Sequence, residues 1–449
     1  MRSSVPVVVI DMRFADYQQL SAARDRALRV GTQLPSLDGI VEATVTVGAQ
    51  SPVSYEVRLP GGSAERLEGD AWPLELRPVA TTAWMHLEPI DEARSEFAWQ
   101  QWAYLDALAR EGMDTATQTL VRVALNGAQW GLYLLETPAP AEVRLRFDAQ
   151  ALWEAQAAGA NIAEGAFRYA VVTSEGEPTF ALDVAASRLR AAQRGDLPLS
   201  EVCDAEVLGR FFALTMFWTG QPAPDWRTLQ WGFDSSIHKL VPLVAGMRWP
   251  DSEPLPEALL DDPVIQAAYV RALGVLAEPA YLERLRDEVG EELEQRWAVL
   301  GITSPAAPWE ALAGHQERIR ALLAPRHALA ATLERDAAVP DGGYVLLLAN
   351  LQRFPLLVVG LDAGGAALRS LDREWVELEN RGRLVTDGDL FILRGASGDL
   401  LQPVRVRLPW NLATAGGDAL AIVCRVWGSS GPELRIPVTE LTMSTEGLP

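Results

Sequence analysis

Few residues in this chain have the type and spacing that chemistry needs, and the basic side chains are the first case. Among 449 residues and 39 basic side chains there is a single lysine, Lys239; arginine carries the rest. A reaction that requires one particular ammonium must use that residue or do without, because a guanidinium does not place its charge as an ammonium does. The four histidines, His86, His238, His315 and His327, have no His-x-x-x-His or His-Glu-x-x-His spacing, so no zinc site is expected. Cys203 and Cys424 lie far apart, outside any Cys-x-x-Cys pair, and read as two buried thiols. Asp225 is a carboxylate that follows a proline. It stands in Gln221-Pro222-Ala223-Pro224-Asp225-Trp226-Arg227, after a long apolar run, and Gln230 follows five residues later. An Asp behind a proline is most often a turn residue.

The elements that must position these residues fall into three groups. Val7–Ile10, Ile40–Val47, Val53–Leu59, Leu74–Pro78 and Thr82–Leu87 read as strands, with helices over Ala15–Val30 and Glu96–Glu111. Thr119–Leu125 and Gln129–Leu135 form a hairpin through Asn126-Gly127, the strongest local turn signal in the chain. From Pro138 the pattern becomes helical: Ala149–Ala158, Ala181–Arg194, Asp204–Thr219, Pro263–Ala277, Pro279–Leu300 and Trp309–Arg335, the last broken or kinked at Pro325. After Val339-Pro340-Asp341-Gly342-Gly343 come short apolar runs separated by turn residues, as in an antiparallel sandwich or barrel. The expected domains are therefore a sheet lobe over 1–137, a helical lobe over 138–338 and a β-sandwich-like domain over 339–449, an α+β chain.

Charge and hydropathy narrow the partners. The formal net charge is −21, spread along the chain, which disfavours phosphate backbones and anionic lipid; no nucleic-acid partner and no membrane insertion are expected. Phe211–Gly220 is too short to span a bilayer, and Val345–Gly360 is broken by Gln352, Arg353 and Pro355. The start of the chain has neither the length nor the cleavage pattern of a signal peptide, so the default expectation is cytoplasmic. Trp72, Trp84, Trp99, Trp102 and Trp130 sit at core-like spacing and read as packing rather than as a carbohydrate platform.

One ordered set of motifs is more specific. Val121–Glu136 reads as an apolar strand, an Asn126-Gly127 turn and then Gly131-x-Tyr133-x-x-Glu136. Upstream stands Arg66-Leu67-Glu68-Gly69-Asp70-Ala71-Trp72-Pro73, and between the two lies a helix ending in Arg110-Glu111-Gly112. Downstream come the long helix Asp204–Gln221 and the Pro254–Leu260 and Asp262-Pro263 runs. In this order the motifs, covering roughly half the chain, resemble the spore-coat-protein-H-like kinase family. The resemblance implies an atypical, two-lobed protein-kinase-like fold that transfers the γ-phosphate of ATP, followed here by a C-terminal antiparallel β domain.

Phosphoryl transfer is mostly positioning and charge neutralisation. The resemblance therefore assigns positions that can be checked one by one. The phosphate-binding lysine of the family falls on Ala71, and no other lysine stands in the sheet lobe; Arg66 and Arg77 are the remaining cations, and both read as a solvated strand face. The catalytic carboxylate falls on Asp225. The Mg²⁺-binding asparagine falls on Gln230, whose extra methylene suits a tightly held octahedral ion poorly. The second metal aspartate falls on Gly246, in Lys239–Gly246; Asp251 and Glu253 follow and read as an exposed loop. Glu136 closes the hairpin signature. Lys239 lies in a hairpin position where family members often carry a basic residue, so it is given no catalytic role.

Three losses at once remove the charge clamp on both sides of the γ-phosphate. The expected function is a pseudokinase, a kinase-fold module that binds a protein partner, with no cofactor and no metal. One alternative is an active ATP-dependent Ser/Thr protein kinase, using ATP and Mg²⁺, in which arginine replaces the lysine. The other is a structural surface or envelope-associated protein whose C-terminal β domain is the adhesive unit.

Overall fold

The computed structural model describes residues 5–33, 39–81, 84–90, 92–113, 115–137, 144–147, 172–175, 180–220, 229–234, 237–244, 262–301, 306–336, 343–364, 369–371, 373–376, 384–387, 390–395, 403–408 and 420–440. The expected helix Ala149–Ala158 lies outside them. Helices and strands are both abundant, as an α+β chain requires.

Among the described residues of the first 137 positions there are nine strands, the longer ones with alternating apolar residues: β1 Val7–Asp11, β2 Thr32–Gln33, β3 Val41–Val47, β4 Val53–Arg58, β5 Gly62–Ser63, β6 Leu74–Pro78, β7 Met85–Pro89, β8 Thr117–Leu125 and β9 Ala128–Thr137. Helix α1, Phe14–Val30, and helix α2, Glu92–Arg110, are inserted among them. The sheet does not stay open. Strands run in the order β1-β3-β4-β6-β7-β9-β8, and β8 pairs in parallel with β1 to close a barrel. Closure removes the free edges that an open sheet leaves. The β8–β9 turn is built as its sequence predicts, with φ +48° at Asn126 and +80° at Gly127, the left-handed pair that a two-residue hairpin needs. Asn126 Oδ1 also accepts the Met12 amide at 2.8 Å, tying the turn to the end of β1. Val8, Ile10, Val45, Val57, Leu76, Leu87, Val121 and Tyr133 fill the interior.

The middle of the chain is helical around an apolar centre. Helices α3 Phe180–Arg194, α4 Leu199–Val202, α5 Ala205–Thr219, α6 Pro263–Ala277, α7 Pro279–Val299 and α8 Ala306–Leu323 follow in order. Asp204 and Asp262 cap α5 and α6 through paired backbone amides, and Pro263 opens α6 at the position where its missing N–H costs nothing. Helix α5 is apolar on nearly every side, so it is buried all round rather than on one face. Gly209 lets α6 approach closely: a Cβ there would lie 2.6 Å from the Ala268 backbone. The region expected to be mainly helical, 138–338, also holds a four-stranded sheet, β10 Arg144–Phe147, β11 Val172–Glu175, β12 Leu229–Asp234 and β13 Lys239–Val244, in the order β11-β10-β12-β13.

A second correction falls at the end of this region. The helical pattern read over Trp309–Arg335 stops at Leu323, and Leu329–Asp336 is strand β14. Leu-Ala-Ala-Thr-Leu-Glu has good helix propensity, but eight cross-strand pairs with β15, Gly343–Asn350, override it. The β-rich part thus begins ten residues before the expected boundary. It continues through β16 Leu356–Ala363, β17 Leu384–Asp387, β18 Leu390–Leu393, β19 Val404–Leu408, β20 Leu420–Val426, β21 Leu434–Pro437 and β22 Thr439–Glu440. Two sheets, β19-β15-β14-β22 and β17-β18-β16-β20-β21, enclose one shared core that includes Leu333, Leu346, Val358, Ile422 and Cys424. Val270 of α6 belongs to that core, and Phe354 packs into it and into the helical core alike. No helix among the described residues is long and apolar enough to cross a membrane.

Candidate functional site

The barrel carries its chemistry on the outside. Register places Arg58 of β4 opposite Glu75 of β6, Glu75 opposite His86 of β7, His86 opposite Glu136 of β9, and Glu136 opposite Gln118 of β8. One polar row therefore crosses five strands. Leu120 and Leu132, on the same outer face, pack into the helical core, which shields the β8–β9 end of the row. Arg58 Nε donates to Glu75 at 2.6 Å, and Gln118 Nε2 donates to Glu136 at 2.8 Å. Gln118 and Glu136 are both buried.

Arg66 reaches the row from a 3-10 turn over Ala64–Leu67 and bonds the carboxylate of Glu88, two residues after His86 on the same face. His86 Nε2 lies 3.0 Å from Glu88 Oε2 and 3.2 Å from Arg66 Nη2. Burial by itself raises the Glu88 carboxyl; the His86 hydrogen bond and the Arg66 charge outweigh it and hold the group down at about 2. The turn carrying Arg66 is itself fixed. Arg24 of α1 donates to Leu67 O at 2.7 Å and Gly69 O at 2.8 Å, and its guanidinium lies over Trp72 at 4.8 Å. Tyr133, from the Gly131-x-Tyr133 motif, donates to Trp72 O at 3.2 Å from inside the barrel. Its phenol is raised by burial, so it stays protonated.

Several residues singled out in the sequence can be followed here. Ala71 does not sit on a strand; it lies in the bend between the 3-10 turn and β6, half-buried against the barrel core. Glu136 lies in the outer row. Arg77 bonds Glu56, and its guanidinium and that of Arg58 lie over the Trp84 ring, at 4.7 and 4.0 Å. Arg66 and Arg77 are thus ion-paired within the barrel surface rather than simply solvated. Lys239 donates to Ser200 O at 2.7 Å and Cys203 O at 3.3 Å, holding the C-terminal turn of α4 against the β12–β13 hairpin. Gln230 pairs with Leu243 of β13 and Arg146 of β10 through its backbone. Asp225, Gly246, Asp251 and Glu253 lie outside the described residues.

The aromatics and cysteines behave as packing groups. Trp72, Trp99 and Trp102 are buried, and Trp99 meets Trp297 edge-on at 5.3 Å. Both thiols are buried and free; burial raises Cys203 and pushes Cys424 up to about 11. Among the described residues no three His, Cys, Asp or Glu side chains are grouped to hold a metal ion. Sequence reading passed over His86 and Glu88. Their His-Leu-Glu spacing puts them on one face of any strand, but only the long-range register sets Glu75 and Glu136 beside them. No protein-family model matches the chain, and no curated protein matches it significantly.

Proposed function

We propose that this chain is a kinase-fold protein of the spore-coat-protein-H type that has lost phosphoryl transfer and works as a protein-binding module. The observation that carries the reading is the commitment of its cations. A γ-phosphate needs a cation poised to meet it. Around the family-equivalent lysine position, Ala71 has no charge, Arg66 is held by Glu88 and His86, and Arg77 is held by Glu56. The only lysine is spent on the carbonyls of Ser200 and Cys203. Element order supports the same reading. A barrel with helices α1 and α2 inserted in it precedes the buried helix α5; the connection after α5 carries Asp225 and leads into a hairpin that holds Gln230, with Gly246 two residues past its end in the sequence.

The test is a thermal-shift titration with ATP, with and without Mg²⁺ or Mn²⁺, beside an autophosphorylation assay. No shift and no phosphate incorporation are expected. The triple variant Ala71→Lys, Gln230→Asn and Gly246→Asp should gain nucleotide affinity. Robust Mg²⁺-dependent autophosphorylation of the natural chain, abolished by Asp225→Ala, would overturn the reading in favour of an active kinase.

A further inference from the structure

Helix α2 belongs to the barrel by sequence and to the helical lobe by packing. Only Ile90 and Asp91 separate it from β7, and 111–116 separate it from β8. Yet its buried side chains, Trp99, Trp102, Tyr104, Leu105 and Leu108 among them, join the helical core with Phe211 and Trp297. Among the described residues none of them joins the barrel core. Polar contacts fall on the same side. The Thr215 hydroxyl of α5 donates to Phe211 O at 2.8 Å, which uses its one proton, so the buried Tyr104 hydroxyl is the donor across the 2.6 Å contact between them. Arg110 reaches Glu292 of α7 at 3.3 Å, and Arg210 of α5 reaches Glu111, just past the end of α2, at 3.4 Å. The Arg296 guanidinium of α7 lies over Trp102 at 4.0 Å.

From this packing we infer a conformational clasp: α2 fastens the barrel to the helical lobe, and the two open together as one cooperative body. The leads into the helix carry no slack. The Ile90 amide donates to Leu132 O at 2.9 Å and the Met113 amide to Leu108 O at 3.0 Å. The Ile90 and Met113 side chains pack on the helical core, as do Leu120 of β8 and Leu132 of β9. Moving the barrel with α2 attached would strip large aromatic side chains into water. Moving it without α2 would break both leads and pull Leu120 and Leu132 out of the helical core. Either route is local unfolding rather than rotation about loose linkers. A partner that spans barrel and lobe therefore meets a preset surface. The inference rests on this packing and not on the kinase-fold reading.

Native-state hydrogen exchange of the full chain in increasing urea tests it. The slowest amides of Val121–Leu125 in the barrel and of 211–217 in α5 should merge on one opening free energy and one urea slope. Barrel amides that open at lower urea with their own slope, while the α5 amides stay closed, overturn the inference from the natural chain alone. Leu293 of α7 lies in the helical core and not in the barrel core. Leu293→Ala should nonetheless lower the protection of both sets by the same factor, about 30-fold or more. The milder Tyr104→Phe removes one hydroxyl, leaves Thr215 bonded to Phe211 O, and keeps the test open if Leu293→Ala does not fold. It should lower both sets together, by about two- to ten-fold. With either variant, a fall confined to α5 while Val121–Leu125 keeps its protection overturns the inference.

Discussion

Two buried carboxamides, one in the C-terminal sandwich and one on the barrel, are equally hidden from water and differently served. Asn350 and Gln118 are each 8% exposed. Asn350 is saturated. Its Nδ2 donates to Phe354 O, Leu393 O and Arg394 O at 2.9, 3.3 and 3.0 Å, and its Oδ1 accepts from Gln352 N at 2.8 Å. Gln118 donates to Glu136, but its Oε1 has no partner among the described residues. The sandwich uses its buried polar group to lock one loop to the end of another strand. The barrel face uses its polar groups in charge pairs that remain negotiable. A saturated buried amide belongs to stability; a row of contested or half-satisfied groups is where charge and partners can change.

The largest effect should come from the sandwich. Asn350→Ala removes every hydrogen bond of this amide from a largely buried site and should cost about 3–5 kcal/mol by denaturant unfolding. A loss under about 1 kcal/mol would mean the loop reorganises freely and the contrast with the barrel fails.

Next comes the seam between the sandwich and the helices. Gly428 has φ +86°, and a Cβ there would lie 2.6 Å from Ala267 O of α6. Gly428→Ala should cost about 2–4 kcal/mol, from backbone strain and overpacking together. The sandwich would then melt with the helical body in one transition, because Val270 and Phe354 join their cores. Two separate transitions in the natural chain would break that link. Truncation at the expected boundary of 339 is a poor test of independence, since it leaves β14 without β15.

Much of this was legible in the sequence, and the failures share one cause. The Asn126-Gly127 hairpin and the capped helices α5 and α6 announce themselves through local chemistry, within four residues. Closure of the barrel depends on β1 pairing with β8, more than a hundred positions away, and no local pattern encodes it. The same holds for β14, whose strand state comes from β15, and for the polar row, whose members are spread from Arg58 to Glu136. The family resemblance marked Glu136 and Ala71 but not His86 or Glu88, because it assigns roles along the chain and not across strands.

A smaller effect is expected at Glu88. Its carboxyl is held at about 2 against an ordinary 4.5, so it contributes stability that is present above about pH 4.5. That contribution is lost as pH falls from about 4.5 towards 2. Glu88→Gln should cost about 1–3 kcal/mol at pH 7 and flatten the acid limb of the stability profile in that window. An unchanged acid limb would remove Glu88 from the set of groups that matter.

The smallest effect should fall on Gln118, and it bears most directly on the comparison. The orientation of its amide is fixed by Glu136: turned over, it would set Oε1 against a carboxylate, two acceptors face to face. The arrangement seen joins a favourable bond to a charged group with an acceptor left unserved, and each is worth about 1–3 kcal/mol with opposite sign. Gln118→Met keeps the length and removes both. Its net cost should therefore stay within about 1 kcal/mol, several-fold less than Asn350→Ala at the same burial. Gln118→Glu makes the opposite test, since it sets two carboxylates side by side, and it should destabilise at pH 7 and recover on acidification as one of them takes a proton. If Gln118→Met costs as much as Asn350→Ala, Oε1 has a partner after all, and the barrel face is as rigidly satisfied as the sandwich.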